Sequence, residues 1–118
     1  MNIDEPFHLE LFGENLPSIS YAKFYELTWA QIAKDFSHFV VVPELSATPT
    51  PSEMVDALMI MLGFLVDKPL QLNSLFYRID LSEKAPIKGG DDRGLAIMIL
   101  RREAQKVWIR TQYSSAPL

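Results

Sequence analysis

The chain has 118 residues, 48% hydrophobic, 11% aromatic and 22% charged, with a formal net charge of −4. A single domain is expected, since domains typically take about 100 to 200 residues, and this composition lies outside the sparse, highly charged range of disordered chains. Without cysteine there are no disulfides, thiolate metal sites or cysteine nucleophile, and 15 acidic against 11 basic residues argue against nucleic acid as a partner.

Met1 to Pro6 has no basic segment leading into an apolar run, so no secretory leader is read there and the cytoplasm is the expected compartment. Residues 1–17 read as an irregular arm, in which Phe7, Leu9, Leu11 and Phe12 alternate loosely with His8 and Glu10. Residues 18–27 stay between two readings: Tyr21, Phe24, Tyr25 and Thr28 fit one helical face, while the aromatics also suit a strand. Thr28, with Gln31 three residues on, has the spacing of a reciprocal helix cap. It predicts a helix from about Trp29 to Phe39, with Trp29, Ile32, Ala33, Phe36, Phe39 and Val40 on the core side and Lys34, Asp35 and His38 opposite.

The prolines and hydroxyls of residues 46–51 predict a loop. Within it Thr50-Pro51-Ser52-Glu53 is the clearest helix start in the chain: threonine caps, proline takes the first helical position, and glutamate reaches back. That helix is expected to run to about Val66, and from Met54 onward its only polar side chain is Asp56. Such a helix needs cover on several sides, which makes it the central helix or part of a subunit interface. Ala57 to Val66 is the longest uncharged apolar run, far short of the roughly 20 residues that span a bilayer, so no membrane segment is expected.

Asp67-Lys68-Pro69 predicts a break, followed by a shorter helix through Leu70, Leu72, Leu75, Phe76 and Ile79. Ser82 to Gly90 reads as a polar connection. A last helix is expected from about Asp91 to Gln112, acidic in its first turn and basic towards its end, which suits the helix dipole. Residues 114–118 read as a frayed tail. The sum is an all-α, four-helix bundle-like domain spanning 1–118 with an irregular N-terminal arm.

Leu75-Phe76-Tyr77-Arg78-Ile79-Asp80-Leu81-Ser82-Glu83, followed after a loop by Leu100-Arg101-Arg102-Glu103-Ala104-Gln105-Lys106-Val107, resembles a family of small bacterial helical proteins to which no reaction is attached. The resemblance covers roughly the C-terminal half. It implies an all-helical cytoplasmic protein and carries over no cofactor or site.

Arg78, Asp80 and Glu83 on one segment, and Arg102, Glu103 and Lys106 on the last helix, are expected to form an ion network that sets helix register, with Arg78 paired to Glu103 or another carboxylate. The alternative is a small-ligand, anion or enzymatic pocket built from Tyr77, Arg78, Asp80 and Arg101. Arg102, Lys106 and Arg110 recur every four residues, which reads as a solvated face with dipole compensation rather than a phosphate-tracking stripe. His8 and His38 stand apart, so no metal site is expected, and no catalytic residue or cofactor is assigned. Gly89-Gly90-Asp91-Asp92 has glycines before a helix but not the Lys-Ser/Thr ending of a phosphate loop.

Met59, Leu62, Phe64, Ile97 and Leu100 are expected in the core or across subunits. The methionines suit core filling better than an adaptable groove. Two helices apolar nearly all round exceed what so small a bundle hides, which favours a non-catalytic, self-associating or partner-binding protein over an enzyme, with a two-fold homodimer as the simplest form.

Overall fold

The computed structural model describes residues 21–81 and 92–114, with side chains through 111. Four helices follow in order: α1 (Tyr21–Phe36), α2 (Pro51–Gly63), α3 (Pro69–Ile79) and α4 (Asp92–Ser114). With no strand among the described residues, this is a small all-α bundle. The expectations for the arm with His8, for residues 18–20, for residues 82–91 with Glu83, and for residues 115–118 lie outside the described residues.

The stretch from Tyr21 is helical, which resolves residues 21–27 and moves the helix start well before Thr28. Thr28 is therefore mid-helix and fully buried, and its hydroxyl donates to the Phe24 carbonyl one turn back at 2.8 Å. A hydroxyl inside a helix takes that bond because the amides it would cap are already engaged. The helix also stops at Phe36 rather than Phe39. Phe39 and Val40 both donate their amides to the Phe36 carbonyl, closing a turn.

At α2 the expected cap is in place. Thr50 Oγ1 accepts from the Glu53 amide at 3.1 Å, Glu53 Oε1 accepts from the Thr50 amide at 3.1 Å, and Pro51 fills the first turn. Ser46 also donates to the Glu53 carboxylate, tying the preceding loop to the cap. The helix ends at Gly63, and the residues to Lys68 form tight turns in which Phe64, Leu65 and Lys68 each donate three residues back. The expected continuation to Val66 is thus replaced by a corner, and Pro69 opens α3.

The end of α3 is closed by Asp80, the only non-glycine residue with positive φ among those described (φ 64°, ψ 47°). Leu81 donates to the Phe76 carbonyl at 3.0 Å and Asp80 to Tyr77 at 3.1 Å, a Schellman closure that places Asp80 in the left-handed region. Aspartate tolerates that conformation better than most residues. Arg102 of α4 reinforces it twice, Nε donating to the Asp80 carbonyl at 3.1 Å and Nη2 to its carboxylate at 2.7 Å.

The core joins Phe24, Ile32 and Phe36 of α1 to Met54, Leu58 and Met61 of α2, Leu75 and Ile79 of α3, and Ile99 and Leu100 of α4. α4 packs chiefly on α1 and α2. Leu62 is buried, and Met59 and Ile97 pack half-buried against the core. Phe64 differs: in the corner after α2 it is 60% exposed and outside the core. Thr50→Ala removes one side of the reciprocal cap, and we expect a loss of about 1 kcal/mol, read by urea denaturation against the parent chain.

Candidate functional site

Every buried polar or charged side chain among the described residues stands on α1 or α4: Thr28, Gln31 and Asp35 on one, Glu103 on the other. On α1 the spacing makes this possible. Thr28, Gln31 and Asp35 follow one another at three and four residues, on the same side as Phe24, Ile32 and Phe36, so the buried face is half polar. Asp35, expected on the outer side, is instead 3% exposed.

Three helices converge on it. Lys106 Nζ of α4 lies 3.0 Å from Asp35 Oδ2, Arg78 Nε of α3 lies 3.3 Å from Oδ1, and Gln31 Nε2 donates to Oδ2 at 3.1 Å. Arg110 Nη2 in turn donates to Gln31 Oε1 at 2.7 Å. Lys106 also stands 2.9 Å from Glu103 Oε1, and Glu103 has no exposed surface. The two carboxyl groups share one ammonium, so they lie inside the roughly 4–6 Å over which one charge disfavours another.

Burial alone pushes Asp35 up, but hydrogen bonds with Glu103, Gln31 and Lys106, together with the Lys106 charge, hold it below its ordinary value. Glu103 goes the other way. Burial above all, then the hydrogen bond to Asp35 and the charge of Asp35, push it up to about 8 against the pull of Lys106. As a carboxylate Glu103 has no well-directed donor, since the Lys106 ammonium is close but misaligned. As a neutral acid it has a proton to give to Asp35. The two acids are thus pushed in opposite directions, Asp35 below and Glu103 above the ordinary carboxylate range.

The expected network therefore exists in a different arrangement. Arg78 pairs with Asp35 and not with Glu103, because Asp35 faces inward. Asp80 pairs with Arg102 at 2.7 Å. The basic row Arg102, Lys106 and Arg110 is more than a solvated face: its members turn to Asp80, to Asp35 and Glu103, and to Gln31 respectively, with Arg110 still exposed.

Tyr77 is 88% exposed, Arg78 and Asp80 hold the partners just given, and Arg101 is half-buried. Two concavities are lined by other residues. A groove of about 210 Å³ is lined by Leu27, Gln31, Lys34, Val107 and Arg110 among others, and one of about 250 Å³ by Pro43, Leu45, Glu53, Asp56, Ala57 and Ile60. His38 is exposed just beyond α1. Among the described residues no three metal-ligating side chains cluster, and no helix is long and apolar enough to cross a membrane.

A second feature is apolar. Ile60 (59% exposed) and Phe64 (60%) are one helical turn apart, and Val66 and Leu70 (81%) follow around the corner into α3. These are large side chains left in water within eleven residues of chain, 60–70. The charged residues in the corner, Asp67 and Lys68, are both exposed.

No family model, no curated protein and no solved structure matches the chain.

Two substitutions separate the buried cluster from the exposed ion pair. Asp35→Ala takes the shared acceptor from Lys106 and Gln31, leaves Lys106 with Glu103 alone and returns the 38% exposed Arg78 to water; we expect a loss of about 1–3 kcal/mol in chemical denaturation. Asp80→Asn keeps a residue tolerant of positive φ and breaks only an exposed pair, for which we expect at most about 1 kcal/mol.

Proposed function

We propose that this chain acts by non-covalent association, as a cytoplasmic module whose α2–α3 corner docks a second copy of itself. The observation that carries this reading is the exposure of Ile60, Phe64, Val66 and Leu70 in one short stretch. Scattered apolar residues on a surface are ordinary, but large ones gathered at a single corner mark a contact surface. Neither end of α2 explains them, since the helix already buries Met54, Leu58 and Met61 on its core side.

A second copy is favoured over an unrelated partner by the charges at the corner. Asp67 and Lys68 are adjacent, exposed and opposite in sign. A two-fold axis through the patch turns the same surface against itself, so Asp67 meets Lys68 of the partner subunit while Phe64 and Leu70 exclude water between them. The overall charge of −4 opposes association only weakly at physiological salt, where surface charges are screened within about 8 Å.

Sedimentation equilibrium from low to high micromolar concentration tests the proposal. We expect a monomer–dimer equilibrium that Phe64→Asp or Leu70→Asp shifts to monomer without change in helicity by circular dichroism. A parent chain wholly monomeric at tens of micromolar overturns it.

A further inference from the structure

The carboxyl pair between α1 and α4 contributes nothing to the association surface, and a buried pair of acids is an unusual way to join two helices. Replacing a buried ionic group with apolar residues is often neutral or stabilising, so packing alone does not call for Glu103. We propose that Asp35 and Glu103 form a one-proton latch between α1 and α4, closed when a single proton bridges the two carboxyl groups and weakened when that proton leaves.

The geometry carries this. Glu103 is completely enclosed, its oxygens receive no well-directed hydrogen bond, and Lys106, the cation beside it, is shared with Asp35. Two negative charges here would have a single ammonium between them, while the second cation, Arg78, approaches from the far oxygen of Asp35. The groups facing Glu103 are therefore few. Around the pair, α1 brings Asp35 with Gln31 bound to it, α3 brings Arg78 to Asp35, and α4 brings Lys106 and the half-buried Arg101, with Arg102 turned to Asp80 and Arg110 to Gln31. α2 adds only apolar side chains to the core: its Glu53 is bound to Thr50 and Ser46, and its Asp56 is exposed. Arg78 reaches only Asp35 and Lys106 is divided between both acids, so a proton shared by the two carboxyl groups relieves the repulsion across the gap that Arg78 does not enter.

The direction of the response follows. Glu103 holds its proton to about pH 8 in the folded chain against an ordinary value of 4.5, so the unfolded chain releases it first. Stability then falls as pH rises from about 4.5 towards 8 and levels off above that. Asp35, lowered on folding, contributes in the opposite sense and is lost only in acid, below its ordinary value of 3.8.

The test has two arms. Carboxyl carbon resonances of the intact chain, followed by NMR over pH, should show one glutamate titrating with a midpoint near 8 that disappears in Glu103→Gln and moves down in Asp35→Asn. Urea denaturation at a series of pH values should show the unfolding constant rising by up to about tenfold per pH unit through this window, with the slope removed in Glu103→Gln. All glutamates titrating near 4.5 in the intact chain overturn the latch, and this reading does not depend on the variants folding. A Glu103→Gln chain that keeps the parent's slope overturns it too. Neither result bears on the monomer–dimer equilibrium, which is measured separately.

Discussion

The fold depends on how α1 and α4 are joined. These helices present polar side chains to one another in the interior, where an unpaired charge is severely destabilising and a paired one is tolerable only with good geometry. Asp35 meets that condition because Lys106, Arg78 and Gln31 reach it from three directions. The contact fixes which residues of α4 oppose which of α1. A one-turn slip would separate Lys106 from Asp35 and Arg110 from Gln31 together, whereas an apolar seam would tolerate it at modest cost. Register is set here by charge, and the apolar core of α2 fills against a scaffold already aligned.

The last helix shows how far such a demand reaches. Its basic row, spaced every four residues, bonds to three places on the other helices: the end of α3, the carboxyl pair and the middle of α1. Arg102 does double duty in this row. It holds both the carbonyl and the carboxylate of Asp80, the residue that takes a left-handed conformation to end α3. The geometry of a helix end and the packing of another helix are thereby linked through one guanidinium.

What could be read from the residues follows from how local each signal is. The start of α2 was legible because Thr50, Pro51 and Glu53 act within one turn, and no distant contact competes with them. The break at Pro69 was legible for the same reason. Thr28 and Gln31 have the same spacing as a cap, yet they lie inside a helix whose start depends on residues further upstream. Asp35 was misplaced because helical periodicity weighs charge as a mark of solvent. The usable signal was the row Thr28, Gln31 and Asp35 running beside Phe24, Ile32 and Phe36, where polar residues share the side of the aromatics. The basic row of α4 was misread in the same way, since a cation's partner across the bundle leaves no trace in the cation's own segment. The corner at Phe64 was missed because tight turns end α2 at Gly63, where the apolar composition alone suggested another turn of helix.

The proton kept by Glu103 also alters the molecule seen from outside. The formal charge of −4 treats every acid as ionised, and the closed latch, by keeping a proton on the carboxyl pair, makes the native state less negative than that count. Composition therefore overstates how acidic the protein is, and its electrophoretic mobility and isoelectric behaviour belong to the native fold rather than to the list of its amino acids. Unfolding at neutral pH releases a hydrogen ion to the buffer, so the heat that a calorimeter records includes a contribution from whichever buffer accepts it.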